Sequence, residues 1–336
     1  KNKITYRELK GADTRPLFLK LRAMRGIKMK VDVIIPTYKP DKGFPEMIKR
    51  LEKQTLKPNR IIIMNTEEKY FEKLLYGTDF AREHPLVEVH HLSKREFNHG
   101  GTRHLGALHS SGDIFVCMTQ DALPADNRLL EELTVPFLSD DRIAVSYARQ
   151  LPEKDSGEIE RFTRAYNYPE ESCVKGKEQL SEMGIKTYFC SNVCAAYKKD
   201  IYQELGGFVR HTIFNEDMIY AAGAVQAGWK IAYAAGARVY HSHNYSCREQ
   251  FRRNFDNGVS QAQHADIFSG VPSESEGMKL VKQTASHLFA VHKPWLVIKL
   301  IAASGAKYAG FWLGKHYKSL PARFVKACSM NKDYWL

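Results

Sequence analysis

Three short polar segments contain the side chains best suited to chemistry. Asp121 follows an apolar run, the acidic pair Glu216-Asp217 precedes a helix-like segment, and His241 and His243 follow a strand-like run. A lone carboxylate just past a buried strand is a typical ligand of a divalent cation that carries substrate phosphates. Alternation along a strand places the two imidazoles on the same side. The alternatives are a turn aspartate, an acidic pair that complements a helix dipole, and structural histidines.

An alternation of apolar strands and amphipathic helices positions these segments. Short, nearly continuous apolar runs predict strands buried on both faces of a sheet, and apolar stripes at i, i+3, i+4 and i+7 predict the helices between them. Ligands of such sheets bind at the carboxyl ends of the strands, where the polar segments fall. The sequence therefore predicts an α/β fold with a mostly parallel sheet flanked by helices. The predicted strands are 31–36, 60–64, 86–92, 114–118, 143–147, 230–233 and 238–240.

Composition and missing motifs exclude several classes of protein. With 336 residues, 43% of them hydrophobic and 26% charged, the chain is neither a disordered segment nor a small disulfide-stapled scaffold. The absence of a G-x-G-x-x-G after the first strand and of a P-loop argues against dinucleotide oxidoreductases and P-loop enzymes. The six cysteines include no C-x-x-C pair, which favours buried thiols in a reducing cytoplasm. No uninterrupted apolar stretch reaches about 18 residues, so we expect neither a secretory leader nor a spanning helix.

The net charge of +12 is concentrated at the two ends of the chain. Residues 1–30 carry +8 and residues 277–336 carry +9, which leaves −5 for residues 31–276. Basic ends suit an anionic surface such as phospholipid headgroups, although they can also serve solubility alone. A helical arc of apolar residues in the last third predicts either an interfacial membrane helix or a packed hairpin or dimer interface. The arc consists of Val297, Leu300, Ile301, Tyr308, Phe311 and Trp312.

Five motifs in a fixed order carry a resemblance to a known family. The motifs are VIIPTY, FNHGGTR, TQDA, NED and HSH, and together they resemble the family 2 inverting glycosyltransferases with the GT-A fold. The segments 96–103 and 119–122 are similar to the bacterial rhamnosyltransferase branch that builds surface polysaccharides. The resemblance implies a GT-A catalytic domain over 31–265. A basic extension over 1–30, with Met24 or Met29 as candidate natural starts, precedes it, and a basic amphipathic helical region over 266–336 follows.

The resemblance also implies roles for the chemical residues. Asp217 matches the catalytic base. Asp121 matches the last aspartate of a D-x-D motif whose first position is Thr119 here, and His243 matches a histidine ligand, so Mg²⁺ or Mn²⁺ is implied on Asp121 and His243. If these roles are correct, the side chains of Asp121, Asp217 and His243 must converge on one cavity.

Substrate-binding residues follow from the same resemblance. Asn65 stands where an acidic residue commonly contacts the nucleobase, and His104 stands where an asparagine often follows the arginine; both are departures from the family pattern. Gln250 and Arg253 belong to a degenerate Q-x-x-R-W motif without its tryptophan, for which a solvated basic helix face is the alternative. The implied nucleotide-sugar donor site comprises Pro36, Thr37, Tyr38, Asn65, Asn98, Gly100, Arg103, Gln120 and Asp121, and the implied acceptor site comprises Glu216, Gln250 and Arg253.

The implied activity is metal-dependent, inverting transfer of L-rhamnose from dTDP-β-L-rhamnose to a polyprenyl-diphosphate-linked glycan in cell-surface polysaccharide synthesis. The implied localisation is cytoplasmic, with the C-terminal region bound peripherally to the inner face of the cell membrane. A homodimer is one possible oligomeric state. A sugar-phosphate nucleotidyltransferase is an alternative, but PTYKPDKG is a poor version of its glycine-rich signature. A nucleic-acid or anionic-polymer binder is another. The acidic middle of the chain argues against it, and no nucleic-acid partner is expected.

Overall fold

A computed structural model describes residues 29–75, 77–268 and 274–335 of the chain. The predicted extension over 1–30 therefore lies almost wholly outside the described residues. The strands are β1 Val31–Tyr38, β2 Arg60–Thr66, β3 Val87–Leu92, β4 Ile114–Met118, β5 Leu123–Pro124, β6 Ile143–Leu151, β7 Cys173–Lys175, β8 Cys194–Lys198 and β9 Lys230–Tyr240. The first helices are α1 Phe44–Glu52, α2 Glu68–Leu75, α3 Phe80–Glu83, α4 His99–His109, α5 Leu129–Ser139, α6 Glu158–Asn167 and α7 Leu180–Met183. The remaining helices are α8 Lys199–Glu204, α9 Glu216–Gln226, α10 Cys247–Gln263, α11 Ala265–Phe268, α12 Glu274–Ala290, α13 Leu296–Lys315 and α14 Ala322–Cys328.

The strands form one mixed sheet in the order β3-β2-β1-β4-β8-β6-β9-β5, with β7 paired to β9. β1 to β4 are parallel to one another, and β6 pairs parallel with β9. β8 lies between β4 and β6 and is antiparallel to both, so β6 and β9 point the same way as β1. The prediction of a mostly parallel sheet flanked by helices is confirmed. One detail was wrong: the runs predicted over 230–233 and 238–240 form the single strand β9, which bulges out of register with β6 between them.

Helices cover both faces of the sheet, and alternate residues of each strand face opposite layers. In β1, Val33 and Ile35 pack with α1 and α5 on one face, whereas Ile34 packs with α4, α8 and α9 on the other. All three side chains are fully buried. Burial on both faces explains why β1 is a continuous apolar run rather than an alternating one. The polar carboxyl ends of β1, β4 and β9 consequently meet at one edge of the core.

The C-terminal helices pack on this domain through a close crossing of α10 and α13. A Cβ atom on Gly310 would lie 2.2 Å from the carbonyl oxygen of Phe251, and one on Gly314 would lie 2.1 Å from that of Phe255. Real Cβ atoms do not approach so closely, so glycine is required at both positions. The crossing fixes α13 beside the carboxyl edge of the sheet.

The outward face of α13 is apolar and exposed. Ile301 and Tyr308 of the predicted apolar arc are 62% and 60% exposed, so protein covers the arc only partly, and Ile298, outside the arc, is 76% exposed. By length and composition α13 could cross a membrane, but the core helix of a soluble protein can meet the same criteria; 11% of the most apolar window of α13 is buried. The sequence criterion of uninterrupted apolar residues missed this helix because Lys299 and Lys307 lie within it.

Candidate active site

A cavity of about 470 Å³ opens at the carboxyl edge of the sheet. Asp121 from the turn after β4, Asp217 from the first turn of α9 and His243 from the segment after β9 all line it. The three side chains are far apart in sequence, and the fold brings them to one space as the motifs required. The same cavity is lined by four further predicted residues, Arg103, Glu216, Gln250 and Arg253.

Asp217 is partly buried, and its surroundings bring the pKa of its carboxyl group close to neutral pH. Its Oδ2 accepts a hydrogen bond from the main-chain N–H of Asn192 at 2.8 Å, and its Oδ1 accepts one from the N–H of Met218 at 2.8 Å. Burial, together with the neighbouring charge of Glu216, raises the pKa of Asp217 to about 7. A carboxylate with such a pKa can remove a proton from a substrate hydroxyl at physiological pH.

Glu216 is the ionised member of this acidic pair. Its Oε1 accepts hydrogen bonds from Asn192 Nδ2 at 3.0 Å and lies 3.2 Å from Arg103 Nη1. Burial raises the pKa of Glu216, but the Arg103 guanidinium, His99 and the hydrogen bond from Asn192 together outweigh that effect and leave the pKa below its usual value. Arg103, predicted to face the donor, is itself buried and also donates to the carbonyl of His99 at 3.0 Å. The pair Glu216 and Arg103 therefore forms a fixed wall of the cavity.

A cluster of three potential metal ligands lines the same cavity as Asp217. Asp121 Oδ1 lies 3.6 Å from His241 Nε2, and Asp121 Oδ2 lies 3.4 Å from His243 Nε2. One ligand atom from each residue lies within 4.8 Å of the other two. His241 was not among the predicted ligands, although the alternation in HSH already placed both imidazoles on one side.

The surroundings of the cluster prepare both imidazoles to bind a cation. Burial lowers the pKa of His241 to about 3, and burial also lowers the pKa of His243. His241 Nδ1 lies 3.1 Å from Gln150 Oε1. Because that amide oxygen only accepts, Nδ1 carries the proton and the lone pair on Nε2 is left facing Asp121. One carboxylate and two neutral imidazoles fit a divalent cation that keeps further positions open for substrate oxygens.

A second, larger cavity of about 1310 Å³ lies beside the first. Of the predicted donor residues, Tyr38 and Asn98 line it, together with Thr66 and Glu67 at the end of β2. Its far wall is a part of the chain that sequence reasoning did not assign to any site, namely Asn331, Asp333 and Tyr334. Asp333 pairs with Lys94 at 2.8 Å, and the Tyr334 ring stacks on His211 with centroids 4.6 Å apart.

Two of the predicted donor residues are buried against each other instead of facing a ligand. Thr37 Oγ1 donates to Asn65 Oδ1 at 3.0 Å, and Asn65 Nδ2 lies 2.9 Å from His91 Nδ1. Thr37 is 2% exposed and Asn65 0%. Neither residue lines either of the two cavities, so the structure does not give them the predicted donor contact. The reason is that Thr37 and Asn65 are register partners in the pairing of β1 with β2, so their side chains lie side by side on one face of the sheet.

Three further predicted donor residues shape the cavities without lining them. Gln120 ties the two strand ends together: its Oε1 accepts from Tyr38 N at 2.9 Å, and its Nε2 donates to Tyr38 O at 3.0 Å. The N–H of Gly100 donates to Asn98 Oδ1 at 3.1 Å, which caps α4, and a Cβ on Gly100 would lie 1.9 Å from the carbonyl oxygen of Val209. Pro36 lies within β1. Gln120 and Gly100 therefore hold the main chain around the cavities.

Helices outside the motif-bearing segments also contribute to the smaller cavity. Arg164 from α6 and Lys307 from α13 line it beside Arg253 from α10. No sequence motif marked Arg164 or Lys307, because their proximity depends on how α6, α10 and α13 pack.

Comparison with known proteins finds similarity over most of the chain. Residues 32–206 match the family model of Glycosyl transferase family 2. The chain is 38% identical over 311 residues to the O-antigen chain rhamnosyltransferase RfbN of Salmonella typhimurium, covering 91% of this chain and 96% of that protein. It is 37% identical over 311 residues to the O-antigen chain rhamnosyltransferase WbaN of Salmonella anatum, covering 90% and 95%. Among solved structures, GalNAc-T7 with UDP, GalNAc and Mn²⁺ shares the fold at a TM-score of 0.50 and 13% identity, over 79% of this chain and 58% of that chain.

Proposed function

This chain belongs to glycosyl transferase family 2, as its motifs predicted, and from that premise we propose that it is an inverting rhamnosyltransferase of O-antigen synthesis. The rhamnosyl specificity is supported by two relatives that bear this activity in their names and align over nearly their full lengths. The observation that carries the proposal is the meeting of Asp121, Asp217 and His243 in one cavity. Neither a nucleotidyltransferase nor a nucleic-acid binder is favoured by the family match.

Asp217 is proposed as the catalytic base. It takes the proton of the acceptor hydroxyl while the acceptor oxygen attacks the anomeric carbon of the donor. The bond from that carbon to the diphosphate oxygen breaks, and its electron pair leaves with the nucleoside diphosphate. A single displacement inverts the anomeric configuration, and a base of suitable pKa contributes roughly 10²–10⁴-fold to such a step.

Asp121, His241 and His243 are proposed to hold a divalent cation. When bound, the cation neutralises charge that develops on the leaving diphosphate. Two imidazoles in the ligand set favour Mn²⁺ over Mg²⁺, which prefers oxygen ligands. Gln150 supports this set by holding the His241 tautomer.

The donor nucleotide, proposed to be that of dTDP-β-L-rhamnose, is assigned to the larger cavity. Tyr38, Thr66 and Glu67 line that cavity at the ends of β1 and β2, which is where doubly wound sheets bind nucleotides. The Tyr38 main chain is fixed there by Gln120, whose neighbour Asp121 lines the catalytic cavity. A nucleotide in the larger cavity would thus reach the metal ligands with its diphosphate.

The acceptor is proposed to be a polyprenyl-diphosphate-linked glycan at the cytoplasmic face of the membrane. The exposed apolar face of α13 and the absence of acidic residues over 277–332 support a peripheral contact with anionic lipid.

Nucleotide-sugar turnover tests the proposed function directly. Purified protein is offered dTDP-rhamnose, UDP-glucose, UDP-GlcNAc and GDP-mannose with Mn²⁺ and a lipid-linked O-antigen acceptor, and nucleoside diphosphate release is measured. We expect release from dTDP-rhamnose alone, dependent on both metal and acceptor. Preferred turnover of any other donor would contradict the rhamnosyl assignment, and release that ignores the acceptor would contradict glycosyl transfer to it.

A further inference from the structure

The cations of the catalytic cavity fall into two groups, paired and unpaired. Arg103 is paired with Glu216 at 3.2 Å, and Arg164 Nε is paired with Glu160 at 2.7 Å. Within the part of the chain that the structure describes, Lys307 and Arg253 have no carboxylate at ion-pair distance. The cavity therefore presents two positive charges that have no direct ion-pair partner among the described residues.

Two aromatic rings hold the Arg253 guanidinium in place. The Arg253 guanidinium lies 4.7 Å from the ring centroid of Phe214 and 5.8 Å from that of Tyr245. Such stacking orients a guanidinium and leaves its N–H donors free to bind an anion. Burial lowers the pKa of Lys307, and the charges that act on it are those of Glu160, Arg164 and Arg253. Glu160 is already paired with Arg164, so a partly buried ammonium group beside two arginines is costly, and an anion bound in the cavity would relieve that cost.

These cations come from other elements than the proposed metal ligands, although both sets line one cavity. The donor diphosphate is assigned to Asp121 and the histidines, on the turn and segment that follow β4 and β9. Lys307 and Arg253 instead come from α13 and α10, which cross closely at Gly310 and Gly314. The residue next to Lys307 is Tyr308, 60% exposed on the apolar face of α13, where Ile301 is 62% exposed. Lys307 therefore lines the cavity of the reacting centre from the helix that also carries a surface suited to a hydrocarbon chain.

We infer that Lys307 and Arg253 bind the diphosphate of a lipid-linked acceptor, with the lipid chain leaving along the apolar face of α13. The inference rests on the proposed function and adds the residues that recognise the acceptor's anionic group. Two charge-assisted contacts to phosphate oxygens from a lysine and an arginine match the chemistry of this ligand. The sugar end of the acceptor then points from this site toward Asp217.

A pair of acceptors that differ only in the anion tests the inference. One is a prenyl-diphosphate-linked O-antigen saccharide in detergent micelles, and the other is the same saccharide on an uncharged octyl aglycone. We expect wild-type protein to show a KM about tenfold lower or more for the diphosphate acceptor. The substitution Lys307→Gln should abolish that preference while leaving the KM for the octyl acceptor and for the donor unchanged, and Lys307→Arg should restore it.

Lys299→Gln is the matched control, since Lys299 is exposed on the same helix and does not line the cavity. If Lys299→Gln reduces the preference as much as Lys307→Gln does, general surface charge explains the effect and the inference is wrong. A rise in donor KM in Lys307→Gln would assign the lysine to the donor instead. Failure of the proposed function is distinguishable, because the wild-type protein would then transfer rhamnose to neither acceptor.

Discussion

Asp217 and Glu216 are neighbours in the chain, yet their environments separate their pKa values. Arg103 and Asn192 stabilise the charge on Glu216, whereas Asp217 receives main-chain hydrogen bonds and no cation. Two carboxylates that close cannot both ionise easily, so the proton is left on the one without a cation. Sequence reasoning identified the pair from its place before α9. It could not tell which member would be poised near neutrality, because Asn192 and Arg103 come from distant segments.

Replacing the base should separate binding from chemistry. Asp217→Asn keeps an oxygen that accepts from Asn192 N, but it cannot take a proton, so transfer should fall roughly 10²–10⁴-fold. Binding of dTDP, measured by calorimetry, should be unchanged because Asp217 lines the other cavity. Asn192→Ala serves as the comparison, since it removes the side-chain donor to Glu216 and keeps the main-chain N–H that binds Asp217. Transfer by Asp217→Asn within a few-fold of wild type would contradict the assignment of the base.

The same residue makes a stability prediction whose sign can be worked out. The folded-state pKa of Asp217 is about 7, raised above its usual value of 3.8 by burial and by the charge of Glu216. The stabilising contribution of its protonated form is therefore complete below the unfolded-state pKa and is lost as the pH rises from about 4 to about 7. Thermal unfolding should show Asp217→Asn gaining stability relative to wild type between about pH 4 and pH 7, with little further gain at higher pH. An unchanged difference in melting temperature across that interval would contradict the raised pKa.

The catalytic rate should also depend on the ionisation of Asp217, but it should increase as the pH rises. Because the base acts only when ionised, kcat/KM should rise about tenfold per pH unit below pH 7 and level off above it. The measurement is rhamnosyl transfer from pH 5.5 to 8.5 at saturating metal, with dTDP affinity followed over the same range as the control. A flat kcat/KM profile over this range would show that a different group limits the reaction.

His241 is the residue whose importance the structure adds to the sequence. Removing it by His241→Ala should weaken Mn²⁺ binding by tenfold or more, as should His243→Ala, because each takes one of three ligands from the cluster. Binding is read from the electron paramagnetic resonance signal of free Mn²⁺, without any need for activity. His292→Ala is the control, since His292 is exposed and outside the cluster. Unaltered Mn²⁺ affinity in His241→Ala would leave Asp121 and His243 as the only ligands from this cluster.

At the scale of elements, hydrophobic periodicity predicted most helices and six of the nine described strands, but not β5, β7 or β8. β8 lies between β4 and β6 and is antiparallel to both, and an apolar run such as that over 194–198 looks the same in either direction. The predicted ends of β3, β4 and β9 coincide with the observed ends, whereas β1, β2 and β6 continue two to four residues further. The packing of α13 was not, because its apolar arc allowed a membrane face, a hairpin or a dimer interface.

The crossing of α10 and α13 makes a sharp prediction about glycine. Gly310→Ala places a Cβ 2.2 Å from the Phe251 carbonyl oxygen, so the helices must separate. We expect a loss of about 1–3 kcal/mol in the free energy of unfolding, measured by denaturant titration. Gly305→Ala on the same helix meets nothing within 4 Å and should be neutral or stabilising by up to about 1 kcal/mol. Equal behaviour of the two variants would show that the crossing tolerates a wider spacing.

At the scale of the whole molecule, the C-terminal part of the described chain contributes to both cavities. The charge pattern of the sequence pointed to a basic C-terminal region beside an acidic catalytic domain, and α13 does line the catalytic cavity through Lys307. What sequence could not reveal is that the chain then returns to the larger cavity. Lys94 and Asp333 meet at 2.8 Å although they are far apart in sequence, and no periodicity reports such a contact.

Because the last described residues line the larger cavity, we expect them to help to bind the donor nucleotide. Tyr334 stacks on His211 with an interplanar angle of 15° and lies 3.1 Å from Gln263 through its hydroxyl, so its ring is a fixed wall of the larger cavity. Tyr334→Ala should therefore reduce the affinity for dTDP about fivefold or more by calorimetry, since a stacking contact is worth about 1–3 kcal/mol. Phe324→Ala removes an aromatic ring that is 46% exposed in the same region and should leave that affinity unchanged. Because the Lys94–Asp333 pair is half exposed and contributes little to stability, Asp333→Asn should leave the melting temperature unchanged. Wild-type dTDP affinity in Tyr334→Ala would mean that the nucleotide lies against the β1 and β2 side of the cavity alone.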